Sequence, residues 1–213
     1  MKNFYKRFCN EGFDENGVLN KFSINCPDNF NFAYDVVDEI ASLQPDRRAM
    51  LWLNEDGKQY TFTFKDISQK SNQVANMLID KGIKKGDAVM VILKRHYQFW
   101  FTILALHKIG AIIIPATNLL TKKDIVYRTN FANIKAVVCS GTCHISDYVD
   151  QSEEECGNYN VKIIVNAQKD GWIDFNTEIE KYPTDFARVE NSKDDSMLGY
   201  FTSGTTGNPK LVL

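Results

Sequence analysis

No apolar run in this 213-residue chain is long enough to cross a membrane. The longest, Phe99–Leu106 and Ile109–Ala116, are separated by His107 and Lys108, and each is far short of the roughly 20 residues a spanning helix needs. The opening residues, Met1-Lys2-Asn3-Phe4-Tyr5-Lys6-Arg7-Phe8, hold no apolar h-region and no small-residue cleavage site, so no signal peptide is expected. An excess of one charge is lacking too. The net charge of −2 argues against nonspecific binding to nucleic acid or anionic membrane, which needs a basic surface or patch. The five cysteines (Cys9, Cys26, Cys139, Cys143 and Cys156) form an odd, scattered set with no C-x-x-C pair. Reduced thiols in a cytoplasmic protein are the expectation. No internal repeat or low-complexity tract is present.

What is there is an ordinary globular composition, 44% apolar and 24% charged, enough for one large domain with a small extension. Residues 1–31 are rich in Asn, Asp and Gly and read as an irregular N-terminal arm. Phe32–Leu43 reads as a helix, with Val36, Val37 and Ile40 on one face and Pro45 beyond its end. Met50–Asn54 and Gln59–Phe64 flank Asp56-Gly57, a β-hairpin signal. From there strands and helices alternate. Thr63 with Asp66, and Thr121 with Asp124, have the spacing of capping boxes at two helix starts. Tyr97–Ile109 is a strongly apolar helix closed by Gly110. Ala88–Leu93, Ala111–Ile114, Ala136–Cys139, Val161–Val165 and Met197–Thr202 read as strands, and Trp172–Tyr182 contains a short helix. Continuous apolar strands between helices imply an α/β protein with a largely parallel sheet flanked by helices and an N-terminal β-hairpin. Ligands of such sheets sit outside the carboxyl ends of the strands.

The last strand runs into Thr202-Ser203-Gly204-Thr205-Thr206-Gly207-Asn208-Pro209-Lys210. Glycines permit positive φ and close approach, successive N–H groups can form an anion nest, hydroxyls add donors and Lys210 adds a positive charge. These are the parts that hold a polyphosphate. The segment is not a Walker A loop, because Thr205 stands where that motif, counted from Gly199, requires lysine, and counting from Gly204 puts Pro209 at its second glycine. It is not the G-x-G-x-x-G dinucleotide fingerprint either.

The order Tyr200-Phe201-Thr202-Ser203-Gly204-Thr205-Thr206-Gly207-Asn208-Pro209-Lys210 resembles the phosphate-loop signature of the adenylate-forming superfamily, with Asn208 at a variable position. The likeness covers nearly the whole chain. Asp28–Asp38 is similar to the N-terminal signature of medium-chain-type acyl-CoA synthetases. Tyr60–Val89 and Leu104–Pro115 resemble the superfamily's first two core motifs. Pro115–Thr121 and Gly171–Phe175 resemble the medium-chain branch more than luciferases or adenylation domains.

The resemblance implies that residues 32–213 are the N-terminal subdomain of an AMP-binding domain, from an AMP-forming acyl-CoA synthetase. In that family a carboxylate attacks the α-phosphorus of ATP, with Mg²⁺ shielding the phosphates. Acyl-AMP and pyrophosphate form, and the thiol of coenzyme A then displaces AMP. Carried over, Thr202, Ser203, Gly204, Thr205, Thr206 and Gly207 would wrap the β- and γ-phosphates, and Lys210 would neutralise their charge. The family's ribose-binding Asp, hinge and catalytic Lys fall beyond Leu213, so no catalytic residue is assignable, and a half-site inactive alone is expected. The alternative is a catalytically incomplete nucleotide-binding or interaction module of the same fold. A homo-oligomer is compatible with either.

Other clusters read more simply. Cys139-Ser140-Gly141-Thr142-Cys143-His144 lacks zinc-ligand spacing, and Cys139 reads as a small buried hydrophobe. His96 and His107 read as surface or packing residues, Phe99, Trp100 and Phe101 could line an acyl pocket but read more simply as core, and Glu153-Glu154-Glu155 reads as a solvated acidic loop.

Overall fold

A computed structural model describes residues 3–142, 144–202 and 207–213. The N-terminal arm departs from expectation. After a 3-10 turn at Phe4–Arg7, strands β1 (Cys9–Phe13) and β2 (Leu19–Ile24) pair antiparallel, with Cys9 opposite Ile24. Asp14 builds the turn, its Oδ1 accepting from the backbone N–H of Asn16 and Val18 at 2.9 Å each, and Gly17 takes φ 76°. The polar residues that read as irregular are this ribbon's turn chemistry. Every residue of β2 is exposed, so no period-2 apolar pattern marked it.

The first expected helix forms as a π-helical segment, Ala33–Asp38, that leads into α1 (Glu39–Leu43). The hairpin is present: β3 (Arg48–Leu53) pairs with β4 (Gln59–Thr63), and Asn54 caps the turn by accepting from the N–H of Asp56 and Lys58. The α/β alternation follows: α2 (Phe64–Asp80), β5 (Ala88–Ile92), α3 (Gln98–Ile109), β6 (Ile112–Pro115), α4 (Lys122–Ala132), β7 (Ile134–Ser140), α5 (Ile145–Cys156), β8 (Val161–Val165), β9 (Ile173–Asp174) and α6 (Phe175–Ile179). Both capping boxes form, with Thr63 and Thr121 accepting from Asp66 and Asp124 N–H while each carboxylate accepts from its threonine's N–H.

Strands β6-β5-β7-β8-β9 make one five-stranded sheet in which every pair is parallel. Side chains alternate between its faces. Val89, Val91, Ala136, Val138, Ile163 and Val165 pack under α2, α3 and α6. Met90, Ile92, Val137, Cys139 and Ile164 share the other face with residues of α4 and α5. Burial on both sides is why the strands read as unbroken apolar runs.

Three local readings change. The acidic run Glu153–Glu155 lies in α5, not in a loop, and Glu153 is anchored to Lys162 at 2.7 Å. That helix hid because part of its buried stripe is serine: Ser146 and Ser152 are buried beside Ile145 and Val149. Of the three aromatics on α3, Phe101 is core but Trp100 is 51% exposed. Adjacent residues on a helix are about 100° apart and cannot share a face. Finally, Met197–Thr202 is not a full sheet strand. Leu198 makes one parallel bridge to Ile113 at the β6 edge, and β10 (Tyr200–Thr202) then pairs antiparallel with β11 (Lys210–Val212). Gly199 permits this crossing, since a Cβ there would come within 2.9 Å of Ile114 and 3.0 Å of Leu211.

Candidate functional site

The parallel bridge from Leu198 to Ile113 sends β10 in the direction of β6, so Thr202, the first residue of the glycine-rich sequence, stands at the carboxyl edge of the sheet. That is where ligands of open α/β sheets bind. Thr202 and Lys210 are cross-strand partners that close the two ends of the segment. The Thr202 hydroxyl donates to the Lys210 carbonyl at 3.3 Å. Gly207 has φ 103° with nothing within 4 Å of where a Cβ would stand, so backbone conformation rather than crowding requires glycine. Both Thr202 and Lys210 are exposed. Ser203, Gly204, Thr205 and Thr206, expected to wrap phosphates, lie outside the described residues.

Helix α4 supports this base. Tyr127 donates its hydroxyl to the Pro209 carbonyl at 2.8 Å. Phe201, immediately before Thr202, meets the rings of Tyr127 and Phe131 edge-on at 6.2 and 6.0 Å. The Arg128 guanidinium lies 5.1 Å from the Phe201 ring centre, and its side chain is only 13% exposed. Sequence reading missed all four contacts, because groups about 70 to 80 positions apart in the chain carry no local pattern.

On the opposite side of β10, an open apolar groove of about 610 Å³ runs between α3, β3 and the Met197–Tyr200 stretch, with Phe32, Met50, Trp100 and Tyr200 among its walls. His107 lines it, and burial pushes its imidazole down to about 4, so it is a neutral wall group at neutral pH.

Among the described residues, the remaining clusters do not assemble a catalytic set. His96 Nε2 lies 3.3 Å from the Ser140 Oγ at the ends of β5 and β7, a serine–imidazole pair the sequence did not announce. A nucleophilic serine needs a third group to orient the imidazole, yet His96 Nδ1 is buried with no partner among the described residues. Burial, with Lys94 nearby, lowers the His96 pKa. Cys139 is fully buried and its thiol is pushed up to about 12, as a small hydrophobe requires. Lys108 is the largest omission. Its ammonium is wholly buried and donates to Asp38 at 2.8 Å, Ser71 at 3.0 Å and Asn72 at 2.6 Å. Spacing alone places it on the buried stripe, four residues after Leu104.

The AMP-binding enzyme family matches residues 37–213. The chain belongs to the AMP-binding enzyme family. Curated relatives include the mitochondrial acyl-coenzyme A synthetase ACSM5 of Rattus norvegicus, 34% identical over 193 residues, which cover 87% of this chain and 33% of the relative. The mitochondrial ACSM4 of the same species is 33% identical over 206 residues, covering 93% and 35%. The chain thus spans about a third of the length of these relatives. Among solved structures, a Brucella canis acyl-CoA synthetase superposes with a TM-score of 0.76 at 28% identity, over 88% of this chain and 34% of that one. The anthranilate CoA ligase AuaEII, in complex with anthranoyl-AMP, gives 0.75 at 22% identity, over 88% and 35%, and shares the fold.

Proposed function

We propose that this chain is the phosphate-holding part of an acid–thiol ligase that activates a carboxylic acid with ATP, releasing pyrophosphate, and passes the acyl group from AMP to coenzyme A. The observation that carries the reading is the placement of Thr202 and the exposed Lys210, the two ends of the hydroxyl- and glycine-rich sequence, at the sheet's carboxyl edge. Family membership and the synthetases among its relatives support it. The role of Thr202 to Gly207 is to surround the β- and γ-phosphates with N–H and O–H donors, and that of Lys210 is to offset their charge. Among the described residues no group of three or more His, Cys, Asp or Glu side chains could hold a metal. The donors here suit phosphate oxygens rather than a cation, so Mg²⁺ in this reading arrives on the nucleotide, shielding its phosphates and keeping most of its water.

By the same reading the chain binds ATP weakly and turns nothing over by itself, because a half-site neither orients the carboxylate nor closes over the nucleotide. The alternative, a binding module of the same fold, predicts nucleotide binding with no chemistry at any chain length. The test is carboxylate-dependent exchange of pyrophosphate into ATP, with Mg²⁺ and acids from acetate to decanoate and benzoate. It is run on this chain and on the longest product of its gene. Exchange by the longer product alone, with a clear acid preference, supports the ligase. Absence of exchange from both, in folded samples, refutes it.

A further inference from the structure

We infer that Tyr127 is a positioning residue for Lys210. The inference rests on the phosphate-binding role proposed for Lys210. Both peptide planes that flank Lys210 are pinned by hydroxyl donors from outside the bond between them. The Pro209 carbonyl, in the plane that carries the Lys210 N–H, accepts from the Tyr127 hydroxyl at 2.8 Å. The Lys210 carbonyl, in the next plane, accepts from the Thr202 hydroxyl at 3.3 Å. Fixing both planes fixes φ and ψ of Lys210, and so the direction of its Cα–Cβ bond, the base from which the side chain carries its ammonium. Pro209 adds a locked φ on the preceding residue.

Tyr127 is itself rigidly held. Its helix starts at the capping box of Thr121 and Asp124 and is anchored by the fully buried Ile125. Its ring is held between Phe131, at 5.7 Å, and Phe201. The hydroxyl therefore reports the position of the α4–β7 face to the base of the loop. A lysine on an untethered hairpin end would sample many directions, and its charge would be spread over them. A tethered one is aimed before the phosphate arrives, which is the preorganisation electrostatic stabilisation requires.

The test uses this chain with inorganic pyrophosphate as the probe, by equilibrium titration. Tyr127→Phe keeps the ring and removes only the hydroxyl. It is expected to weaken pyrophosphate binding about threefold to tenfold, the worth of one net hydrogen bond. In a Lys210→Met background the same change is expected to leave the remaining affinity unaltered, because there is no charge left to aim. The unfolding midpoints separate this from a packing role: any loss of stability from Tyr127→Phe should be the same in both backgrounds. Unchanged affinity on Tyr127→Phe, or an equal loss of affinity in both backgrounds, would overturn the positioning role and leave the ligase reading standing. Failure of the unaltered chain to bind pyrophosphate would overturn the phosphate-binding role of Lys210 and this inference with it.

Discussion

Replacing Asp38 by alanine should destabilise the protein far more than replacing Lys108 by methionine. Lys108 has 0% side-chain exposure, whereas Asp38 retains 25%. Removing the carboxylate leaves a charged ammonium in the interior with two neutral hydrogen-bond partners, the Ser71 hydroxyl and the Asn72 carbonyl oxygen, and the Tyr34 ring at 5.8 Å. It also strands Ser68, whose hydroxyl donates to the same Asp38 oxygen at 2.6 Å. Breaking a buried pair from one side typically costs about 3–5 kcal/mol. Because Asp38 is partly solvated, we place Asp38→Ala at the lower end, about 3 kcal/mol. Lys108→Met keeps the aliphatic length and removes the charge that needed a partner. Asp38 can then turn to water, and the cost should stay below about 1.5 kcal/mol. The assay is urea unfolding of both variants with the slope checked for constancy.

The pH dependence follows from the direction of the Lys108 shift. Burial lowers its pKa below the usual lysine value of 10.5, while Asp38 opposes that shift. Between the lowered folded pKa and 10.5 the unfolded chain binds more protons, so stability rises with pH through that window. Without Asp38 the folded pKa drops further and the window widens. The cost of Asp38→Ala should therefore shrink between pH 7 and pH 9.5, as Lys108 sheds its proton more readily. A cost of Asp38→Ala smaller than that of Lys108→Met, or one that grows with pH, would refute the reasoning.

Three further outcomes are expected. His107, pushed down to about 4 from 6.5, must take up a proton on unfolding, so stability is full above pH 6.5 and falls as the pH drops toward 4. The loss should reach up to about 3 kcal/mol, at about 1.4 kcal/mol per pH unit, and should vanish in His107→Leu by urea titration at pH 7 and 4.5. Cys139, with its thiol near 12, should resist iodoacetamide at pH 8 in the native protein and react once urea unfolds it, as read by peptide mass spectrometry. Gly207→Ala forces an L-residue into φ 103° in otherwise open space, so it should cost about 1–3 kcal/mol by strain alone and weaken pyrophosphate binding in a titration.

The parallel core was legible because each of its strands is buried on both faces, and because Thr63–Asp66 and Thr121–Asp124 mark helix starts with local chemistry. The glycine-rich segment was legible as residues in order, and its family followed from that order. What escaped was everything whose signal is spread along the chain. Helix α5 puts serines in part of its buried stripe, the Ser152 hydroxyl donating to the Val149 carbonyl at 2.7 Å and Ser146 accepting from Lys169 at 3.3 Å. Strand β11 is three residues long, too short for any period to register.

The same distinction governs the site. A motif specifies which groups can meet a phosphate, but the carbonyls on either side of Lys210 are held by Tyr127, reaching Pro209 from 82 positions away, and by Thr202 across the hairpin. Lys108 behaves alike. Its spacing from Leu104 puts it on the buried face of its helix, but nothing local names its partners. Set among Asp38, Ser71 and Asn72 it ties the π-helical segment to α2 and α3 with a charge that those elements must keep partnered. In both places the partners come from distant parts of the chain, so substituting Tyr127 tests what holds the base of the loop, and substituting Asp38 tests what keeps the scaffold's buried charge paired.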